Sequence, residues 1–128
     1  MKTDRTWITV RIDGKIAAVS TDYRLLARIA SQGKIYGEIT ATSSSFEDIW
    51  KFRQETRWDD LMLFGTDFQK RVWRKLWELT HTADTEAHLI CYSDFAELCQ
   101  NRAGVRAVAH AIGLNPVSVI IPCHLVIP

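Results

Sequence analysis

The sequence contains no long apolar run and no recognisable secretory leader. Its longest uninterrupted apolar stretches, such as residues 119–122, are far shorter than the roughly 20 residues that a membrane-spanning helix needs. Apolar residues make up 47% of the chain and charged residues 24%, which is ordinary for a folded globular protein. We therefore expect a soluble, cytoplasmic protein that forms one domain, or one domain with a small second lobe.

Cysteine is also scarce, and metal-ligand spacing is absent. The three cysteines, Cys91, Cys99 and Cys123, are an odd number without C-x-x-C spacing, which argues against a disulfide framework or a zinc ribbon. At least one thiol should therefore be free. His81 and His88 lie in a polar stretch without a third ligand nearby, so we expect solvated loop histidines. The sequence predicts neither a metal nor an organic cofactor.

A general surplus of positive charge is missing too, because the formal net charge is only +1. Strong non-specific nucleic-acid binders usually carry such a surplus, so composition alone does not indicate DNA. The distribution of charge is more informative. All 15 acidic residues lie within residues 1–97, and the segment 98–128 has arginine and histidine but no acid. That segment could approach phosphate without repulsion.

The first 60 residues alternate in patterns that predict an α/β N-terminal lobe of order ββαβ. Residues 6–12 alternate, Asp13-Gly14 is a two-residue hairpin signal, and residues 15–19 form a second apolar run. An amphipathic helix follows, which Thr21-Asp22 can cap and Gly33 can end. The remaining predicted segments are a strand over residues 34–41, a loop over 42–45 and a short helix over 46–54.

We predict a second domain over residues 61–128. Asp59 and Asp60, just before it, are a candidate carboxylate pair, but adjacent acids at this place are more typical of a solvated linker. Thr66 then begins a T-x-x-Q capping box, which predicts the start of a helix. The apolar stripe of that helix comprises Phe68, Val72, Leu76 and Leu79.

Two short helices with a glycine-containing turn are predicted next. Ser93 is a good N-cap for the first helix, and the second spans residues 105–112 with Gly113 as a left-handed stop. The pair resembles a helix-turn-helix, although an ordinary αα-hairpin is the alternative. Small side chains let a helix approach a groove floor, and an arginine can stack on bases. The residues that helical projection places away from the core are Arg106, Ala107, His110 and Ala111.

The last apolar run leads to a candidate nucleophile. Asn115-Pro116 favours an extended or turn conformation, residues 117–121 suit a buried extended segment, and Cys123 follows at its end. A fixed thiol can attack a carbon centre if a base generates the thiolate. His124 is the adjacent base, but neighbouring side chains on an extended segment point apart, so a bridging water or a turn is needed. The alternative is a buried structural cysteine.

Three sequence elements stand together in the second half of the chain. They are Gly65-Thr66-Asp67-Phe68-Gln69 with Val72-Trp73, then Arg106-Ala107-Val108, then Asn115-Pro116-Val117 through Ile121-Pro122-Cys123-His124. Their order and spacing resemble those of the O6-alkylguanine-DNA alkyltransferase family, over residues 65–128. The resemblance implies a ribonuclease-H-like N-terminal lobe and a mainly α C-terminal DNA-binding domain with a helix-turn-helix.

The resemblance also implies roles for the matching residues. Cys123 would take the alkyl group irreversibly from O6-alkylguanine in double-stranded DNA, with His124 generating the thiolate through water and Asn115 organising the adjacent turn. Tyr92 would help rotate the target nucleotide out of the duplex, and Arg106 would fill the vacated stack. The protein would act as a monomer, in the cytoplasm or on a bacterial nucleoid. The helical projection adds Ala107, His110 and Ala111 as expected DNA contacts.

The sequence departs from the family pattern in two ways. Leu125 stands where the family usually has arginine, and the family continues beyond the position of Pro128 with a glycine-rich loop and a helix whose glutamate orients the histidine. We therefore expect a chain without the family's C-terminal segment, in which His124 lacks that partner. Two other functions stay open: a non-catalytic module that senses alkylated DNA, and a helix-turn-helix regulator.

Overall fold

The structure is a computed structural model that describes residues 6–81 and 89–128. The chain divides into two compact units. The first comprises Met1–Phe64 with Pro116–Ile120, and the second comprises Gly65–Asn115 with Ile121–Pro128. The predicted division, between residues 60 and 61, differs from this one in two places. The boundary lies after Phe64, and residues 116–120 belong to the first unit, which no sequence pattern indicated. Within the described ranges, no helix has the length and apolarity to cross a membrane.

The first unit is built on the hairpin that the sequence predicts. β1 (Trp7–Ile12) and β2 (Lys15–Ser20) are antiparallel and are joined by Asp13 and Gly14, whose φ values are 47° and 80°. Two consecutive positive φ values are typical of the type I′ turn, which matches the twist of the flanking strands. Hairpin and turn are therefore both confirmed.

A helix and a third strand complete the ββαβ order. α1 (Tyr23–Gly33) is capped by the carboxylate of Asp22 and buries Leu26 and Ile29 in the core of the unit. β3 (Ile39–Ser44) pairs antiparallel with β1, so the sheet has the order β2-β1-β3. α2 (Phe46–Phe52) follows and is capped by Ser45.

The predicted bounds of the third strand and of the loop after it are wrong. The strand lies at Ile39–Ser44 instead of residues 34–41, and it includes most of the stretch predicted as a loop. Pairing with β1 holds this largely exposed edge strand, so its residues need no apolar alternation. Gly33 ends α1 without a positive φ. Its lack of a side chain is explained by packing, because a Cβ there would collide with the side chain of Ile12.

Residues 116–120 extend the outer edge of β2. The N–H of Val19 donates to the carbonyl of Pro116 (2.9 Å), and Ser118 donates back to Val19 (3.0 Å). The chain then turns at Val119, which has a φ of 73°, and the N–H of Ile120 donates to the carbonyl of Ser118 (2.9 Å). This is a three-residue γ-turn. The predicted extended run is therefore wrong beyond its start, because burial of Val119 and Ile120 outweighs their local preference for extended backbone.

The second unit is mainly helical. Its helices are α3 (Asp67–Glu78), α4 (Tyr92–Leu98) and α5 (Val105–Gly113), and a short parallel pair of strands joins β4 (Ile90–Cys91) to β5 (Val126–Ile127). The capping box at the start of α3 is confirmed. Thr66 accepts from the N–H of Gln69 (3.1 Å), and the Gln69 side chain accepts from the N–H of Thr66 (2.9 Å).

The ends of α4 and α5 differ from the prediction. α4 begins at Tyr92 because β4 extends to Cys91, so Ser93 lies inside the helix instead of capping it. Gly113 ends α5 without a positive φ, because the N–H groups of Leu114 and Asn115 close the helix end by bonding to carbonyls one turn back. A left-handed stop is therefore not needed there.

A residue other than glycine provides the left-handed position after α4. Gln100 has a φ of 57°, and its N–H donates to the carbonyl of Glu97 (2.9 Å). The next N–H, of Asn101, donates to the carbonyl of Ala96 (3.0 Å). These two bonds form a Schellman motif, which usually has glycine at this place. The turn between α4 and α5 is thus held by backbone hydrogen bonds despite an unfavourable residue.

Candidate functional site

Cys123 lies on a tight turn. Pro122 has φ −81° and ψ 67°, and the N–H of Cys123 donates to the carbonyl of Ile121 (2.8 Å), which is an inverse γ-turn. A single 3-10 turn, Cys123–Leu125, follows and is closed by a hydrogen bond from the N–H of Leu125 to Pro122 (3.1 Å). The thiol of Cys123 is half-buried. The side chains of Cys123 and His124 therefore do not follow the alternation of an extended strand.

Asn115 holds the same turn from the end of α5. Its side-chain amide donates to the carbonyl of Ile121 (2.8 Å), and the bond is buried. That carbonyl therefore accepts two hydrogen bonds of equal length, one from Asn115 and one from the N–H of Cys123. The structure thus brings Asn115 and Cys123 together, as the resemblance implies, through a shared backbone acceptor.

The two residues after Cys123 have opposite environments. His124 is exposed, whereas Leu125 is buried with 7% of its surface accessible. The buried leucine anchors the far side of the 3-10 turn, and the imidazole of His124 lies at the surface. A water-mediated base role for His124 stays a prediction.

The exposed face of α5 carries Arg106, Ala107 and His110. Gly113 at the end of the helix is also exposed, while Val108 is fully buried. The face therefore presents one guanidinium, one imidazole and small side chains to solvent. Its contact with DNA stays a prediction.

The predicted outward position of Ala111 is wrong. Ala111 is only 1% exposed, because α5 packs on α3 at this point. The indole N–H of Trp73 donates to the carbonyl of Ala111 (2.8 Å), and a methyl side chain lets the ring come close. Helical projection used Val105 and Ala109 as core residues, but both are only half-buried. The true core face is rotated towards Ala111.

Tyr92 is the first residue of α4 and is half-buried. The parallel pairing of β4 with β5 ties the start of α4 to the strand that follows the 3-10 turn of Cys123. An exposed ion pair between Arg102 and Glu97 (3.7 Å) spans the turn between α4 and α5. The structure therefore keeps Tyr92, the turn and Cys123 within one unit.

Cys99, another of the three thiols in this unit, is a poor candidate nucleophile. Burial raises the pKa of the Cys99 thiol, and the positive charge of Lys75 only partly opposes this effect. A raised pKa keeps the thiol protonated at neutral pH and lowers its nucleophilicity. Among the described residues, no group of three His, Cys, Asp or Glu side chains could hold a metal ion. His81 stacks on Trp77, and His88 lies outside the described residues.

Sequence reasoning missed the position of Trp73 at the centre of the unit. The predicted apolar stripe of α3 included Val72 and Leu76 but not Trp73, which is also buried, with 1% of its surface exposed. The available signal was the tryptophan itself, because a large aromatic beside a stripe residue usually widens the buried face.

Comparisons with known proteins find relatives for the second half of the chain. Residues 67–128 match the family described as 6-O-methylguanine DNA methyltransferase, DNA binding domain. The second half of the chain is therefore similar to the DNA-binding domain of that family. The match includes the turn of Cys123 and the helices α3 to α5.

Curated members of the methyltransferase family match the same half. A probable methylated-DNA–protein-cysteine methyltransferase of Acanthamoeba polyphaga mimivirus is 44% identical over 68 residues, which cover 53% of this chain and 42% of the relative. The inducible methylated-DNA–protein-cysteine methyltransferase of Bacillus subtilis is 46% identical over 63 residues, which cover 49% of this chain and 32% of the relative. The match thus spans less than half the length of these relatives.

Solved structures of the methyltransferase family give a match of similar extent. The crystal structure of the Mycobacterium tuberculosis O6-methylguanine methyltransferase is 39% identical, with a TM-score of 0.46, over 52% of this chain and 38% of that one. A crystal structure of the OGT of the same organism in complex with DNA is also 39% identical, with a TM-score of 0.44 and the same coverage.

Proposed function

We propose that the chain repairs DNA by moving the alkyl group of O6-alkylguanine onto Cys123, one group per protein molecule. The observation that carries the proposal is the turn at Cys123, where the carbonyl of Ile121 accepts hydrogen bonds from both Asn115 and Cys123 (2.8 Å each). This turn holds a half-buried thiol inside the region that matches the methyltransferase family. In-line attack on a carbon centre requires a nucleophile fixed in this way.

The transfer is a displacement at the alkyl carbon. The thiolate of Cys123 forms the new sulfur–carbon bond, and the carbon–oxygen bond breaks with its electron pair left on the guanine oxygen. The guanine anion then takes up a proton. The thiol proton leaves through water to the exposed imidazole of His124. Because the thioether is stable, the protein is consumed with each repaired base.

In the proposed complex, α4 and α5 form a helix-turn-helix that binds the minor groove. Arg106, Ala107 and His110 face the DNA, since they share the exposed face of α5, and Ala111 supports that face from inside. Tyr92 assists rotation of the nucleotide out of the duplex, and Arg106 occupies the gap. The absence of acids from residues 98–128 favours this approach to phosphate.

The remaining assignments follow from the same proposal. The first unit, predicted from the sequence as residues 1–60, is the ribonuclease-H-like lobe, and the second unit, predicted as residues 61–128, is the alkyltransferase domain. The protein acts as a monomer in the compartment that holds the DNA, which is the cytoplasm or nucleoid in a bacterium. Transfer of the alkyl group itself needs only the thiol, a base and the DNA substrate.

The test is transfer of label from DNA to protein. Duplex DNA with radiolabelled O6-methylguanine is incubated with the protein, and peptides are analysed by mass spectrometry. We expect label on Cys123 at up to one group per chain and none in a Cys123→Ala variant. Cys99→Ala is the matched control and should accept label at the normal rate, because the Cys99 thiol stays protonated at neutral pH.

The same reagents separate repair from lesion sensing. If the wild-type protein prefers lesion DNA but takes no label, the repair function is wrong and the sensing module is right. Equal affinity for lesion and plain DNA without transfer would contradict both. Under both the repair and the sensing hypothesis, Arg106→Ala should weaken binding to lesion DNA, because the arginine no longer replaces the extruded base.

A further inference from the structure

We propose that Trp73 is a positioning residue for Cys123. Its indole N–H fixes the C-terminal end of α5, and Asn115, just beyond that end, holds the turn that carries the thiol. The proposal rests on the alkyl-transfer function above and extends it to a residue on α3. Trp73 acts at a distance, through other residues, and does not touch the substrate.

The first link is the hydrogen bond from Trp73 to Ala111. The two atoms are 2.8 Å apart and buried. Ala111 lies in the last turn of α5, where carbonyls no longer have the usual partner four residues on. Its carbonyl accepts from the N–H of Leu114 at 3.2 Å and from the indole at the shorter distance. The indole therefore holds the end of the helix at a defined position on α3.

The second link runs from the end of α5 to the thiol. The N–H of Asn115 donates to the carbonyl of Ile112 (3.2 Å), so the backbone of Asn115 is fixed to the helix end. Its side chain donates to Ile121, whose carbonyl also accepts from the N–H of Cys123 (2.8 Å each). Four hydrogen bonds thus connect the indole ring of Trp73, the helix end and Cys123, and the two that side chains donate are buried.

The third observation is that the indole is enclosed on both sides. Trp73 is 1% exposed, and Gly65 lies against the far edge of its six-membered ring. A Cβ at Gly65 would be 2.6 Å from that ring, much closer than carbon atoms can approach. The ring is therefore held between Gly65 on one side and the carbonyl of Ala111 on the other.

This arrangement fixes the position of the Cys123 turn relative to α5. α5 presents its exposed face to DNA, and the turn presents the sulfur to the extruded base. A misplacement of about 1 Å between binding surface and nucleophile can lower a rate by about a hundredfold. Trp73 is thus expected to affect the transfer step more than DNA affinity.

The test replaces the indole by a ring without a donor. Trp73→Phe removes the N–H and keeps an aromatic core residue. Trp77→Phe is the matched control, because Trp77 lies one turn along the same helix and stacks on His81, away from the series that leads to Cys123. At saturating lesion DNA we expect Trp73→Phe to slow transfer about tenfold with DNA affinity within about twofold of wild type. Trp77→Phe should leave both values unchanged.

Hydrogen exchange provides a readout that does not depend on activity. In Trp73→Phe, the amide of Cys123 and the side-chain amide of Asn115 should exchange about tenfold faster than in Trp77→Phe, because local opening becomes easier. Gly65→Ala should give the same pattern by displacing the ring. All variants are compared at a temperature where circular dichroism shows them folded.

The outcomes distinguish the two proposals. If the wild-type protein transfers no label, the repair function fails, and the exchange rates alone decide the positioning role. If Trp73→Phe and Trp77→Phe change exchange at Cys123 equally, Trp73 only stabilises the fold and the positioning role is wrong. A loss of DNA affinity as large as the loss of rate would contradict it as well.

Discussion

The hairpin turn at Asp13-Gly14 and the backbone from α4 to Cys123 both use positive φ values, but with different residues. In the hairpin, φ of 47° and 80° falls on aspartate and glycine, which adopt this region readily. In the second half, 57° falls on Gln100 and 73° on Val119. A β-branched residue at positive φ is a genuine outlier. The first turn is therefore favoured locally, whereas the other two are imposed by their surroundings.

The difference shows what holds each region. The hairpin turn is exposed, and strand pairing on either side matches its own preference. Val119 is 2% exposed and Gln100 is held by the Schellman hydrogen bonds. Conformations that cost free energy persist only when surrounding contacts determine them. Placing glycine at Gln100 or Val119 should therefore relieve backbone strain, whereas replacing the glycine of the hairpin turn should add it.

The largest effect is expected from the buried valines 117 and 119. Both lose the same side chain on change to glycine, and both are almost fully buried. Val117→Gly should lower the free energy of unfolding by about 3 kcal/mol, from lost burial and added backbone entropy. The loss for Val119→Gly should be smaller than that for Val117→Gly by about 1 to 2 kcal/mol, because glycine adopts the positive φ of residue 119 without strain. Denaturant unfolding of both variants measures the difference. Equal losses would show that Val119 stores no strain.

A smaller effect is expected from the side chains that brace each turn. Asn115 donates to Ile121 in a buried bond (2.8 Å), whereas Asp13 accepts from the N–H of Glu38 in an exposed one (2.7 Å). Asn115→Ala should lower stability by about 2 kcal/mol, since a buried carbonyl loses a donor. Asp13→Ala should cost about 0.5 to 1 kcal/mol, because water replaces the lost acceptor.

Thermal unfolding of the two alanine variants decides between these values. If Asp13→Ala is as destabilising as Asn115→Ala, the burial of the hydrogen bond does not determine how much each side chain stabilises its turn. The Asn115 variant should in addition slow alkyl transfer, whereas the Asp13 variant should not. The transfer rate thus shows whether the hydrogen bond from Asn115 to Ile121 positions the thiol in addition to stabilising the fold.

The same comparison explains how much of the fold could be predicted. Where local preference and structure agree, the sequence was sufficient: the Asp13-Gly14 hairpin, the Asp22 cap and the Thr66–Gln69 capping box were all identified. Edge strand β3 was displaced because pairing with β1, and not its own pattern, determines it. The turn at Val119 could not be read from residues that normally favour extended backbone.

The candidate site residues could be named from the sequence, but their geometry could be predicted only in part. The P-C-H sequence, Asn115 and the exposed face of α5 were identified from motif and helical period. Ala111 was misplaced because a projection of one helix does not include the indole that packs on it. The bond from Trp73 joins residues far apart in the chain, so only the folded structure could reveal it.

The smallest effects should come from exchanging the two kinds of positive-φ residue. Gln100→Gly should stabilise the protein by about 0.5 to 1 kcal/mol, because glycine at the Schellman position avoids the left-handed penalty that outweighs its extra entropy. Gly14→Ala should destabilise by about 1 kcal/mol through φ alone, since its Cβ would meet no atom within 4 Å. Thermal midpoints of both variants check the signs. A destabilising Gln100→Gly would mean that the glutamine side chain stabilises the turn by more than its backbone conformation costs.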